Sequence, residues 1–326
     1  MNNSPKKIAS EFLAAGQVIR EPVGAGSGYW VGCPGVFYEP DEKAHYLTYR
    51  IRRPRGVPPE RGGEVGILRS TDLKSFTDVW KMTKDQVNSA SIERSALYRG
   101  ADGQWRYYTS FVDPADGRWC VSFIKASEVG KLNVADMKRL FSADDLQLEG
   151  VKDPWVFRVG DTYHMLLSVA VSTQTTSAGS HSTLDIYNTG ECLSATGLAT
   201  SRDLDSWDWQ GVVFTPEPGA WDCYCRRINS ILPLDGRYYA FYDGSASHRE
   251  NYEEKCGLAV STDLRNWRTL TPEGPLWTSP YASGSIRYLD AQAIEGKVRI
   301  FYEFSRPDGS HDMRWVQCDA GQLPLG

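Results

Sequence analysis

Hydrophobic and polar positions alternate with period two along short runs of this chain, and turn residues separate the runs. In residues 150–168, Trp155, Phe157 and Val159 alternate with Val156 and Arg158. A Gly160-Asp161 turn follows, and then Tyr163, Met165 and Leu167 alternate with His164 and Leu166. Alternation on both sides of a turn predicts a β-hairpin. Asp153 stands just ahead of the first strand. Pro154, which has no N–H to give a ladder, is placed at that strand's first position.

The hairpin recurs. Residues 33–38 lead through Pro40-Asp41 into 44–50, residues 93–98 through Asp102-Gly103 into 105–110, residues 226–232 through Asp235-Gly236 into 238–242, and residues 285–289 through Glu295-Gly296 into 298–303. A third alternating run follows each hairpin, at 64–70, 119–125, 196–201, 255–261 and 312–317. Three of these runs end in one tag, Ser-x-Asp-Leu-x-x-aromatic, at 70–76, 201–207 and 261–267. The tag predicts a polar rim turn with an aromatic anchor that opens a fourth strand. The second unit keeps only a relic of it, at 127–137, with helical character.

The units begin near positions 33, 93, 152, 226 and 284. Four-stranded units repeated at this spacing predict an all-β, five-bladed β-propeller, one domain over residues 1–326 with residues 1–15 as a tail. The fifth unit runs out of chain after its third strand, and residues 17–23 are the right length to close the ring as the missing one. The Ser/Thr-rich insertion at 171–194 is expected to form a long loop over one face.

Composition narrows the function. The chain has 326 residues, a net charge of −5, and 11 Trp, 17 Tyr and 11 Phe. Tyr and Trp suit sheets and sugar-stacking surfaces. Mild acidity weighs against a nucleic-acid partner. No apolar run approaches the roughly 20 residues of a membrane helix, so no membrane partner is expected. The first residues lack the form of a signal peptide. Seven irregularly spaced cysteines, with Cys223-x-Cys225 lacking a second pair, read as reduced thiols of a cytoplasmic protein with no metal and no cofactor. The glycine run at 24–28 is not followed by a helix pattern, which weighs against a dinucleotide or phosphate loop.

In a propeller the first strands line the axis, so their starts converge. Here they offer Cys33-Pro34, Glu93-Arg94, Asp153-Pro154, Arg226-Arg227 and Arg287, with Arg50, Ser110, Ser168, Asp243 and Glu303 at the ends of the second strands. Lys152-Asp153-Pro154 with its aromatic strand, the Tyr-rich second strands and the Ser-x-Asp-Leu tags together resemble the five-bladed glycoside hydrolases of families 43, 32, 68 and 130. The resemblance covers nearly the whole chain. It implies a carbohydrate substrate, such as a furanoside, and catalytic acids on the innermost strands, with Asp153 matching one of them. It also implies an Asp-Pro in the first unit, where this chain has Cys33-Pro34. Either the catalytic pair sits on other units or the chain is degenerate there. In family 130 the important acid lies on the second unit, where Glu93 falls.

Glycosidic cleavage needs two carboxyl groups, about 5–5.5 Å apart for retention or about 6.5–9.5 Å for inversion. Glu93 and Asp153 are the expected pair, with Glu303 or Asp243 as a third member. Trp30, Arg50, Arg94, Trp155, Arg227, Arg287 and Tyr288 are the expected substrate-binding residues, and Tyr29 and Trp221 are further stacking candidates. The competing readings are structural: Asp153 capping a turn, Glu93 pairing with an arginine, Glu303 and Asp243 bonding a loop, and the tag aspartates serving the rim alone. The activities in contention are a hydrolase, a family 130-like phosphorylase and a non-catalytic sugar-binding protein. The sequence leaves the oligomeric state open.

Overall fold

The computed structural model of the protein describes residues 7–325; residues 1–6 of the expected tail lie outside the described residues. The rest of that segment carries a short helix, α1 (Ser10–Ala14), which leads into strand β1 (Gln17–Arg20). The first unit is β2 (Trp30–Glu39), β3 (Ala44–Arg53), β4 (Arg61–Ser70) and β5 (Thr77–Thr83). The second is β6 (Ile92–Arg99), β7 (Trp105–Val112), β8 (Trp119–Ala126) and β9 (Lys138–Phe141), followed by α2 (Ala143–Leu146). The third is β10 (Gly150–Val159), β11 (Thr162–Ser172), β12 (Cys192–Ser201) and β13 (Asp208–Phe214). The fourth is β14 (Cys225–Leu234), β15 (Arg237–Ser245), β16 (Lys255–Ser261) and β17 (Arg268–Thr269). The last is β18 (Ile286–Ile294), β19 (Lys297–Ser305) and β20 (His311–Cys318).

The described chain is therefore nearly all β, and strands adjacent in sequence within a unit pair antiparallel. β1 pairs antiparallel with β20, with Gln17 opposite Trp315 and Val18 opposite Arg314. The earliest strand thus becomes the fourth strand of the last unit.

Alternating side chains leave the two faces of each unit apolar, and these faces pack on their neighbours. Tyr46 and Ile67 meet Tyr107 and Ile124 between the first and second units. Tyr108 and Val121 meet Met165 and Leu167 between the second and third. Leu166 and Leu198 meet Ile228 and Ala240, and Phe241 and Leu258 meet Leu289 and Ile300. Val31 and Leu47 of the first unit pack with Phe301 and Met313 of the last.

The tags do structural work, as expected of rim turns. Ser70 Oγ accepts from Leu73 N–H, while Asp72 Oδ1 accepts from the N–H groups of Lys74 and Ser75. The same bonds recur at Ser201/Asp203 and Ser261/Asp263. Each turn drives a leucine, Leu73, Leu204 or Leu264, into the core. In the second unit two 3-10 turns, Val129–Lys131 and Val134–Asp136, stand in the tag's place.

Leu13 of α1 is fully buried against the last unit, and its carbonyl accepts a 2.5 Å bond from Tyr302 Oη. Leu13→Ala is expected to lower unfolding free energy by about 2–5 kcal/mol in urea titration, as buried leucine truncations do. A loss under about 1 kcal/mol would show that α1 does not seal this face.

Candidate active site

The first strand of every unit carries an irregularity at the same place. The ladder skips Cys33-Pro34 in β2, Glu93-Arg94 in β6, Asp153-Pro154 in β10, Asn229 in β14 and Tyr288-Leu289 in β18. These are β-bulges, which bend a strand and re-aim a side chain. Pro34 and Pro154 are tolerated because a bulge leaves an N–H without a ladder partner. Asp153 and Pro154 therefore lie inside a ten-residue strand, not ahead of it as the sequence suggested. The bulge also corrects the alignment of the last two units. Asn229, not Arg226-Arg227, is the fourth counterpart of Asp153, and Tyr288 is the fifth.

Cys33, Asp153 and Tyr288 take φ values of 55°, 55° and 51°, a conformation costly for residues with a Cβ. Each is held there by a side chain from the second strand of another unit. Glu303 Oε2 accepts from Cys33 N–H at 3.2 Å, Ser110 Oγ from Asp153 N–H at 3.1 Å, and Asp243 Oδ1 from Tyr288 N–H at 3.0 Å. Ser110 also donates to the Arg94 carbonyl. Gly32 precedes the first bulge because a Cβ there would stand 2.2 Å from Glu303 Oε2.

Around these bulges lies a buried charge cluster. Arg50 bridges Glu93 Oε2 at 2.8 Å and Glu303 Oε2 at 3.3 Å, and Arg52 Nη1 stands 3.5 Å from Glu93 Oε1. Arg287 donates to Glu303 Oε1 at 2.7 Å and to Glu254 Oε2 at 3.1 Å, and Arg227 pairs with Glu254. His311 Nδ1 contacts Glu303 Oε1 at 2.8 Å. Cys33 Sγ lies 3.9 Å from both Glu93 and Glu303.

The acids are differentiated by their surroundings. Burial would raise the Glu93 carboxyl, but Arg50, Lys152, Arg52 and Arg287 outweigh it and hold the group below its ordinary value. Glu303 and Glu254 are likewise held low, against burial, by Arg287 with Arg50 and His311 and by Arg227 with Arg287 respectively. Asp243 goes the other way. Burial and the nearby Glu254 charge push it up to about 7, over the opposing effect of Arg227 and Arg287. Its Oδ1 accepts from Asn229 Nδ2 at 2.6 Å and from Tyr288 N–H, while Oδ2 has no partner among the described residues. Both Asp153 oxygens are without a hydrogen-bond partner among the described residues, and Lys152 Nζ lies 3.6 Å away. Burial pushes the Cys33 thiol well up, so it is no substitute for a carboxylate base.

Glu93, Asp153, Asp243, Glu303, Arg50, Arg227, Arg287 and Tyr288 are thus brought into one buried region. Arg94 is not part of it. Its guanidinium donates to the Pro34 and Asn229 carbonyls and stands 3.8 Å from Asp290, tying first strands together. Trp155 also departs. Its indole N–H donates to Asp290, and it lines a different cavity of about 490 Å³ with Val36, Phe157 and Ile231. Trp30 borders the charge cluster, but His311 stacks on it at 4.7 Å, and Arg52 and Arg287 lie 5.2 and 4.9 Å from its ring. It is a wall rather than a free stacking face. Trp221 packs by Tyr242 and donates to the Thr271 carbonyl. Sequence reasoning missed Glu254, Asn229, Arg52 and His311. Glu254 lies just beyond the 3-10 turn His248–Glu250, and its only signal was an acidic pair ahead of β16.

No protein-family model matches the chain. A β-1,2-mannobiose phosphorylase of Listeria innocua is 29% identical over 128 residues, which is 39% of this chain and 28% of that protein's length. Among solved structures, an α-L-arabinofuranosidase from Lactobacillus brevis aligns with a TM-score of 0.61 at 14% identity, over 87% of this chain and 89% of that one. A thermostable family-43 glycoside hydrolase gives 0.63 at 12%, over 93% and 94%. The structure of the Listeria innocua β-1,2-mannobiose phosphorylase gives 0.61 at 13%, over 95% of both chains. The fold is that of the propeller glycoside hydrolases and their phosphorylase relatives.

Glu303→Gln is expected to cost about 3–5 kcal/mol, because it removes a counter-charge from buried Arg287 and Arg50. The folded-state carboxyl is held low, so its contribution is complete above the ordinary value of 4.5 and is lost as pH falls below it. Unfolding free energy measured against pH should decline on the acid side in the parent, and less steeply in the variant.

Proposed function

We propose that the chain is a single five-bladed β-propeller domain, closed by β1, that hydrolyses a glycosidic bond of a short oligosaccharide or glycoside. The observation that carries this is the contrast between two buried carboxyls. Asp243 keeps a proton up to about neutrality and has one oxygen unpartnered, while Asp153 has two oxygens unpartnered beside a lysine. Asp243 gives its proton to the glycosidic oxygen as the C–O bond breaks. A water oxygen bonds to the anomeric carbon, and Asp153 takes the water's proton. Glu93 stays ionised and fixes Arg50 and Arg52. Glu303 serves as the clamp of the first bulge rather than as a proton donor. The family-43 and arabinofuranosidase neighbours support the reading at the level of fold. The sugar is a terminal one, and a furanoside is one member of the class. All seven cysteines are free, which supports a reducing, cytoplasmic setting.

A second reading, phosphorolysis, is favoured by the match to the mannobiose phosphorylase. Inorganic phosphate would then replace water at the anomeric carbon. Turnover of disaccharides with and without phosphate separates the two.

On the hydrolytic reading kcat/KM declines as pH rises through about 7, because Asp243 loses its proton. Asp243→Asn and Asp153→Asn should each lower kcat by about 10²–10⁴-fold, the usual contribution of a positioned acid or base. Rates on a panel of aryl glycosides, taken across pH, provide the check. A profile flat through neutrality together with an active Asp243→Asn variant would remove Asp243 from the chemistry.

A further inference from the structure

The site holds more cationic donors than the protein's own acids engage. Lys152 is fully buried, and its Nζ has no hydrogen-bond partner among the described residues. It sits 5.0 and 4.7 Å from the ring centroids of Trp119 and Tyr187, and 3.6 Å from Asp153 Oδ2. Arg227 is 1% exposed. It uses Nη2 on Glu254, while Nε and Nη1 are unpartnered. Arg52 also leaves Nε unpartnered. Lys152 and Arg227 both act on the Glu254 carboxylate, so they belong to one neighbourhood. Buried donors of this kind carry a desolvation cost that an incoming acceptor relieves, most strongly a charged one.

The charges agree. Arg50, Arg52, Lys152, Arg227 and Arg287 are five cations. Glu93, Asp153, Glu254 and Glu303 supply four negative charges, and Asp243 supplies none while it holds its proton. Below about pH 7, where Asp243 holds its proton, one positive charge is left over.

We propose that the sugar taken by this site carries a carboxylate, as a uronic acid does, and that Lys152 and Arg227 seat that carboxylate beside Asp153. The inference rests on the reading of the buried charge cluster as a sugar site and names the class of sugar. One carboxylate balances the excess charge, whereas a phosphate, which carries more than one charge near neutral pH, overshoots it. The aromatic rings under Lys152 fix the ammonium in place from below through cation–π contact and leave its N–H groups for the ligand.

The experiment is calorimetric titration of the full chain with galacturonate, glucuronate and mannuronate, with their neutral counterparts galactose, glucose and mannose, and with inorganic phosphate. At least one uronate is expected to bind about 10-fold or more tightly than its neutral counterpart, the gain of one charge-assisted bond. Lys152→Met, which keeps the volume without the charge, should erase that preference. The parent comparison stands by itself if the variant does not fold. The proposal is overturned if no uronate binds, if neutral sugars bind as tightly, if phosphate binds more tightly than every uronate, or if a folded Lys152→Met protein keeps the preference. Turnover is scored separately on aryl uronides and neutral aryl glycosides. Uronate binding without turnover of either upholds this inference and defeats the hydrolytic reading. Turnover of neutral glycosides in preference to uronides does the reverse.

Discussion

A carboxylate removed from water must have its charge met, and Glu303 meets this constraint by holding the two ends of the chain together. Its oxygens take Arg287 and His311 from its own unit and Arg50 and the Cys33 N–H from the first. Each contact offsets part of the desolvation cost, and none can be lost without leaving a buried charge uncompensated. The same carboxylate holds a backbone in a conformation that Cys33 would otherwise avoid. Packing between units supplies most of the stabilisation, but this bond network fixes where the side chains of the first-strand bulges point. Asp243 and Ser110 repeat the arrangement in other units, so the site's geometry is set by cross-unit clamps rather than by any one strand.

That arrangement also explains the division among the acids. Glu303 faces the Cys33 N–H and two arginines and stays ionised. Asp243 clamps with one oxygen only, among carboxamide and backbone donors and close to the charge of Glu254, so it retains a proton far longer. Asp153 is clamped through its backbone, which leaves its carboxylate free. One structural motif, used three times, leaves Glu303 ionised, Asp243 raised toward neutrality and both Asp153 oxygens unpartnered among the described residues.

Much of the fold was legible in the sequence because strand alternation, Asp-Gly turns and the Ser-x-Asp-Leu tags are local signals. Burial of Leu73, Leu204 and Leu264 by those tags follows directly from the repeat. The bulges were not legible. An extra residue in one strand shifts the phase of alternation, so Arg226-Arg227 and Arg287 aligned with Asp153 in place of Asn229 and Tyr288. Asp243 and Glu303 were found because they lie at equivalent positions of second strands, and Asp153 because it stands with Pro154 on a first strand. Glu254 escaped because it enters from a loop, where position carries no periodic signal. Arg94 and Trp155 were misplaced for another reason. They sit on the right strands, yet the same carboxylate, Asp290, draws one toward it and fixes the other.

The pairing of β1 with β20 has a consequence for biogenesis. Gln17 leaves the ribosome long before Trp315, so the first strand to be made is among the last to find a partner. Until then it and the unmatched edge of the final sheet are both open to wrong partners, and closing so long a span is intrinsically slow. Nascent chains of this protein therefore carry an unmatched strand edge until β20 has been made and has paired.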